Sequence, residues 1–128
     1  EFLVVIMMNM KKENVLYEKS FSFSIDIVKL CKTLKIKKEF VLSEQLLKSG
    51  TSIGANVSEA NGAISKADFS SKISIAYKEC LETKYWLDLL LKTNIIGQKE
   101  HTDLFEKADE LAKLLFSVLK STRFNRKN

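Results

Sequence analysis

The chain contains no proline and only four glycines in its 128 residues. Proline ends or kinks a helix and glycine weakens it, so long helices meet few internal obstacles in this sequence. Leucine, lysine and glutamate are abundant, and no segment sustains the alternating pattern of a strand. The sequence therefore predicts an all-α fold. Its length fits one domain with a core large enough to need neither a disulfide nor a metal.

Four segments carry apolar residues at the spacings of three and four that are typical of amphipathic helices. The predicted helices are 16–35, 38–60, 65–92 and a fourth that ends near Ser121. Short connections between such helices predict an antiparallel up-down-up-down four-helix bundle over residues 14–122. Residues 1–13 are expected to be a disordered or non-native segment, and residues 123–128 a basic tail.

The helical pattern also predicts individual positions. In helix 1 the inner stripe is expected to consist of Phe21, Ile25, Val28, Cys31 and Leu34. At the start of helix 3, Ser65 is the expected N-cap, with Asp68 at the third helical position. Cys31 and Cys80 fall on apolar stripes in a chain without a secretory signal, so buried reduced thiols are expected rather than a disulfide.

Helix 2 carries two neighbouring stripes of opposite chemistry. The apolar stripe consists of Leu46, Gly50, Ile53, Val57 and Ala60, and one position earlier lie Gln45, Ser49, Ser52, Asn56 and Glu59. Small hydroxyl and amide groups in register, in place of lysine or glutamate, indicate close helix approach within the bundle or between subunits. We use the name polar ridge for Gln45, Ser49, Ser52, Asn56 and Glu59 of helix 2 together with Glu79, Glu82 and Trp86 of helix 3. We predict that the polar ridge is an oligomer interface or a buried polar seam, and that a leucine at Ser52 or Gly54 lowers the oligomeric state.

Positive charge is concentrated in two places. The formal net charge is +5, and the tail residues Arg123, Arg126 and Lys127 account for three of these charges, which leaves +2 on the rest. A second excess of basic residues ends helix 1. The candidate nucleic-acid contacts are Lys32, Lys35, Lys37, Lys38, Arg123 and Arg126. Cations near the negative end of a helix dipole are the structural alternative.

The residue types that carry chemistry are not arranged for catalysis. Glu79 and Glu82 could form a carboxylate cluster, but no Glu-x-x-His pair exists and the single histidine, His101, is predicted to lie at the other end of the bundle. We therefore expect no metal, no cofactor and no enzymatic activity. The two carboxylates are expected to accept hydrogen bonds from Asn56, Ser52 or a lysine, either within the subunit or across a subunit boundary. The apolar opening of the chain is too short to span a bilayer, so a cytoplasmic protein without membrane association is expected.

A run of motifs resembles a known family. The motifs are Leu46–Ala60, read as LLKSGTSIGANVSEA, then Lys66-Ala67-Asp68-Phe69, Ile75-Ala76, Glu79, Glu82 and Trp86-Leu87. Over about residues 14–122 they resemble the 23S ribosomal RNA intervening-sequence proteins. The resemblance implies a bacterial, cytoplasmic, non-enzymatic four-helix bundle that assembles as a ring-like homopentamer. The chain is also similar to the accessory variability proteins of diversity-generating retroelements, basic pentameric barrels that bind a reverse transcriptase and nucleic acid, although its body is nearly neutral.

Two functions remain open at this point. The first is a non-enzymatic oligomeric scaffold that presents basic rims to RNA or a ribonucleoprotein. The second is a protein–protein assembly module with no nucleic-acid role, in which the lysines serve solubility. Salt-dependent retention of RNA separates the two, because phosphate contacts weaken as salt rises.

Overall fold

The computed structural model describes the backbone of residues 2–127 and the side chains of residues 14–122. Its helices are α1 (Phe2–Ile36), α2 (Phe40–Asn61), α3 (Lys66–Lys92) and α4 (Gln98–Lys127). The backbone of residues 2–127 contains no strand. The predicted all-α fold with four helices is therefore confirmed.

Each helix packs against two others, in the closed order α1, α2, α3, α4 and back to α1. Within the described chain, the helix backbones do not approach closely across either diagonal. The helices therefore stand at the corners of a square, with the α1–α2 side opposite the α3–α4 side. Along α1 and α2 the contacts run in opposite order, with Ile27 against Gly50 and Cys31 against Ser43. α1 and α2 therefore run antiparallel to each other.

Both terminal helices are longer than the sequence pattern predicts. α1 begins at Phe2 rather than near Leu16, and α4 continues to Lys127 rather than ending near Ser121. The side chains of residues 1–13 and 123–128, including the predicted contacts Arg123 and Arg126, lie outside the described residues. That residues 1–13 are a non-native segment remains a prediction.

The predicted inner stripe of α1 is wrong at two positions. Phe21 is 57% exposed and Ile25 is 44% exposed. The core side of α1 instead carries Leu16, Phe23, Ile27, Leu30, Cys31 and Leu34. α1 has apolar residues on two of its sides, and the helical period alone does not say which side is buried. The contacts of α1 with α2 determine which side of α1 is buried.

Two glycines of α2 bring the backbones of α1 and α2 together. A Cβ atom built on Gly50 would lie 2.8 Å from Ile27 Cγ2, and one built on Gly54 would lie 3.3 Å from the Ser20 carbonyl oxygen. Both glycines thus face α1 of the same chain. Leucine at Gly54 would therefore disturb the packing of the subunit itself, and its effect on the oligomeric state remains a prediction.

Two turns end their helices with the same hydrogen-bond pattern. After α1, Glu39 N donates to Leu34 O and Lys38 N donates to Lys35 O, both at 2.9 Å. After α3, Ile95 N donates to Leu90 O at 2.9 Å and Asn94 N donates to Leu91 O at 3.0 Å. This is the Schellman motif, in which one residue takes a left-handed backbone. Lys38 has φ 64° and Asn94 has φ 62°.

The start of α3 follows the prediction. Ser65 has an extended backbone, and its hydroxyl accepts a hydrogen bond from Asp68 N at 3.0 Å. The Asp68 carboxylate in turn accepts from Ile64 N at 3.3 Å. Capping of this kind satisfies amides that the first helical turn leaves free. By contrast, the N-cap of α2, Glu39, makes no side-chain capping bond.

Candidate functional site

The polar ridge lies along the seam between α2 and α3. Ser49 is buried there, and its hydroxyl oxygen is 3.0 Å from that of Thr83, which is also buried. Ser52, Asn56, Glu79 and Trp86 are half-buried, and Gln45, Glu59 and Glu82 are exposed. The structure therefore brings the predicted residues onto one side of the bundle. Sequence reasoning missed Thr83, although it lies four residues after Glu79 on the same face.

The hydrogen bonds of the ridge differ from the expected ones. Ser52 donates to Lys48 O at 2.6 Å and Asn56 donates to Ser52 O at 2.8 Å, so both side chains bond their own helix. Glu82 instead accepts from the indole of Trp86 at 3.1 Å. Within the subunit, Asn56 and Ser52 therefore do not donate to the carboxylates of α3, and hydrogen bonds to these carboxylates across a subunit boundary remain a prediction.

Two other carboxylates of this region have charged neighbours. Glu59 forms an ion pair with Lys72 at 3.1 Å. Burial raises the pKa of Glu79, and the nearby charge of Glu82 raises this pKa further, while Lys48 lowers it. Burial therefore makes the ionised form of Glu79 less favourable in the folded protein than in water.

We expect the Glu79→Gln variant to be more stable than the wild type at pH 7. The raised pKa means that the folded state binds its proton more tightly than the unfolded state, so ionisation of Glu79 lowers stability as pH rises through this pKa. The gain should diminish as the pH falls below the ordinary glutamate value of 4.5 and vanish well below it, where Glu79 is protonated in both states. Urea unfolding at several pH values measures this. Equal stability of the two proteins at pH 7 would contradict the assignment, and the exposed Glu44→Gln serves as the matched control.

An apolar stripe covers the outer side of α1. Tyr17, Phe21 and Ile25 are exposed at successive turns, and the rings of Tyr17 and Phe21 stack with centroids 6.1 Å apart. Ser20 and Ser24, which directly precede Phe21 and Ile25, contact Gly54 of α2. Because neighbouring residues lie on adjacent parts of a helix surface, the stripe lies on the α1–α2 side of the bundle. We call these three residues the α1 stripe.

A second apolar surface lies between α3 and α4. An open groove of about 480 Å³ is lined by Tyr77, Leu81, Lys84, Asp109, Ala112, Lys113 and Phe116. The Tyr77 and Phe116 rings are 5.9 Å apart, and Phe116 is 51% exposed. Lys84 donates a hydrogen bond to Asp109 at 2.8 Å across the groove. Asp109 also accepts a hydrogen bond from Lys113, and the two lysines together lower the pKa of Asp109. We call this surface the α3–α4 groove.

The α1 stripe and the α3–α4 groove face away from each other, because the α1–α2 and α3–α4 sides of the square are opposite. Sequence reasoning missed both surfaces. One signal was present: α1 carries more apolar residues than one side of a helix can bury, with Tyr17, Phe21 and Ile25 in addition to Phe23 and Ile27.

The lysines that end α1 remain together in the structure. Lys29, Lys32, Lys35, Lys37 and Lys38 are all exposed, and within residues 14–122 none of them forms an ion pair. Their turn also exposes apolar side chains. We call residues 35–41 the basic turn. Half-buried Glu39 is its only acidic residue.

The two thiols are buried contacts between helices. Cys31 Sγ donates to Ser43 O at 3.4 Å, and Ser43 Oγ donates back to Cys31 O at 3.3 Å. Cys80 Sγ donates to Ala108 O at 3.0 Å. Burial raises the pKa of Cys31, and it raises that of Cys80 to about 12. The predicted burial of both free thiols is confirmed, and such protonated thiols are poor nucleophiles at neutral pH.

His101 belongs to the α3–α4 contact. Its Nε2 lies 2.8 Å from Asp88 Oδ1, and its ring stacks on Phe105 with centroids 4.9 Å apart. Among the side chains of residues 14–122, no three His, Cys, Asp or Glu residues are grouped to hold a metal ion. In the same part of the chain, no helix has the length and apolar character needed to cross a membrane.

The fold defines a four-helix-bundle protein. The family model of the 23S rRNA-intervening sequence proteins matches residues 12–117, so the chain belongs to this family. It is also similar to a solved structure from Bacteroides thetaiotaomicron, a protein of unknown function from the S23 ribosomal protein family. The two chains are 48% identical with a TM-score of 0.83, over 85% of this chain and 98% of the other. No curated protein matches the chain significantly.

Proposed function

We propose that this protein is the subunit of a non-enzymatic helical scaffold that assembles with its own copies in the bacterial cytoplasm and presents basic rims to RNA or a ribonucleoprotein. The observation that carries the proposal is the pair of unlike apolar surfaces on opposite sides of one bundle. Exposed apolar surfaces of this kind mark contacts with other proteins.

The placement of the two surfaces favours head-to-tail association. An interface with two-fold symmetry joins the same patch on both partners, whereas a ring joins one patch to a different patch on the next subunit. The α1 stripe of one copy and the α3–α4 groove of the next are such a pair. The subunit number that the family resemblance implies is five.

In this arrangement the other two sides of the bundle are not used for ring closure. The α1–α4 side carries ion pairs, Asp26 with Lys107 at 2.7 Å and Lys19 with Glu110 at 2.6 Å. The α2–α3 side carries the exposed part of the polar ridge. A role for the polar ridge as an oligomer interface remains a proposal, and the apolar surfaces are the stronger candidates because burying them releases more water from apolar area.

Assembly into a ring would strengthen the positive electrostatic potential at the basic turn. One turn on a nearly neutral subunit creates a modest field, but a ring repeats that turn around one rim and sums the potentials. In an up-down-up-down bundle the tail after α4 lies at the end opposite the basic turn, so Arg123 and Arg126 would add positive charge to the other rim.

A second function is favoured by composition. Nineteen of the 21 basic residues are lysines, and only Arg123 and Arg126 can offer the paired donors that suit phosphate. On this alternative the chain is a protein–protein assembly module and its lysines keep the assembly soluble.

A gel-shift titration separates the two functions. Wild-type protein should retain RNA at about 50 mM salt and lose at least about tenfold in affinity at about 200 mM. A triple variant, Lys35→Gln, Lys37→Gln and Lys38→Gln, should lose most retention of RNA. The control is a second triple variant, Lys66→Gln, Lys72→Gln and Lys78→Gln, which removes equal charge elsewhere and should keep retention. Absence of retention by the wild type at low salt would leave the assembly module as the function.

A further inference from the structure

The basic turn exposes more apolar surface than a solvated turn needs. Ile36 is 83% exposed, Phe40 is 57% exposed and Val41 is 72% exposed. Phe40 and Val41 begin α2, and the packing of the bundle covers neither of them fully. An exposed phenyl ring is a flat apolar face, on which another flat ring can stack.

The same turn concentrates positive potential. Lys35, Lys37 and Lys38 are exposed and form no ion pair within residues 14–122. The N-terminus of α2 points into this turn, and Glu39 provides no side-chain capping bond there. Free amides at a helix N-terminus attract anions in the way that lysines do. Exposed Phe40 therefore follows Lys37 and Lys38 by two or three residues in a turn where both the lysines and the helix N-terminus attract anions.

Lys38 adopts a backbone conformation that is costly for a residue with a Cβ. Lys38 occupies the left-handed position of a Schellman motif, with φ 64°. Glycine or asparagine is common at this position, and the matching turn after α3 places Asn94 there. A side chain with a Cβ is disfavoured in this conformation. Strain of this kind is characteristic of functional positions.

We infer that the basic turn binds unpaired RNA, with a base stacked on Phe40 and the adjoining phosphates held by Lys37 and Lys38. The inference rests on the proposed function, in which RNA is the partner, and it specifies that the bound RNA is unpaired. Single strands offer phosphates and free base faces together, and aromatic rings among lysines are the usual means of binding them. In a duplex the base faces are stacked inside, so Phe40 has no partner there.

The test compares two RNA probes by fluorescence anisotropy on the full-length protein, a labelled uridine-rich 12-nucleotide strand and a 12-base-pair duplex. Phe40→Ala should weaken binding of the strand about tenfold and change duplex binding less than twofold. Phe40→Tyr should retain wild-type affinity, and Phe40→Leu should lose it. The control is Ile64→Ala, which removes a side chain that is 94% exposed in the α2–α3 connection.

A second variant separates stability from binding. Lys38→Gly should raise the Tm by about 4 °C, because glycine relieves the left-handed strain, and it should weaken binding of the strand at the same time. A structural role alone predicts the higher Tm with unchanged affinity.

Each outcome has a distinct meaning. If the wild type binds neither RNA probe, the RNA role fails and this inference fails with it. If the wild type binds RNA but Phe40→Ala binds both probes as well as the wild type does, only the stacking inference is overturned. Retained affinity in Phe40→Leu, or binding to vesicles of anionic phospholipid in place of RNA, identifies a general apolar contact and also overturns it.

Discussion

The Gly50→Leu variant is expected to lose more than about 3 kcal/mol of folding free energy, a large fraction of the roughly 5–15 kcal/mol that stabilises an ordinary domain. A Cβ at this position would already lie 2.8 and 2.9 Å from two carbons of Ile27, and Ile27 is fully buried. A leucine adds three further carbons where none fits. α1 and α2 would have to separate, which opens the core that both helices cover.

Urea denaturation followed by circular dichroism measures this effect, and a second glycine provides the control. A Cβ on Gly62 would meet only Glu59 O, at an ordinary 3.7 Å, so Gly62→Leu should change stability by less than about 1 kcal/mol. If Gly50→Leu unfolds at the same urea concentration as the wild type, the close approach of α1 and α2 is not as described.

The Phe21→Glu and Phe116→Glu variants are each expected to turn the assembly into monomers. Either substitution places a charge in one of the two apolar surfaces, and an unpaired charge buried in an interface costs several kcal/mol. Because Phe21 and Phe116 are more than half exposed in the single subunit, helicity and thermal stability of the monomer should change little. Light scattering coupled to size-exclusion chromatography reports the mass.

Mixing the two variants tests the direction of association. Phe21→Glu retains an intact α3–α4 groove and Phe116→Glu retains an intact α1 stripe, so the mixture can form one interface and should stop at a dimer. If each surface paired with its own copy instead, each variant alone would dimerise through its intact surface. Dimers of the separate variants, or no dimer in the mixture, would contradict head-to-tail pairing.

The fold follows from the sequence more completely than the surfaces do. Helix breaks at Asn61-Gly62 and around Gly97 and the Ser65 cap are local properties, determined by residues within a few positions of one another. Phe21 and Ile25 of the α1 stripe were misassigned to the core because the burial of α1 depends on Gly50 and Gly54, two residues of another helix. A periodic pattern on one helix carries no information about such a partner.

The basic turn shows the same limit in another way. Its lysines are visible in the sequence, but the exposure of Phe40 and the left-handed backbone of Lys38 appear only when the ends of α1 and α2 are placed. The polar ridge was recognised as a unit, yet its hydrogen bonds depend on distances of a few tenths of an ångström. Sequence thus identified the residues, while their partners required coordinates.

The mass of the wild-type protein in solution tests head-to-tail self-association most directly. Multi-angle light scattering at micromolar concentration should give a defined multiple of the 14.6 kDa chain, fivefold for a pentamer. A single species of 14.6 kDa at every concentration up to the solubility limit would contradict the proposed scaffold, whatever else the chain binds.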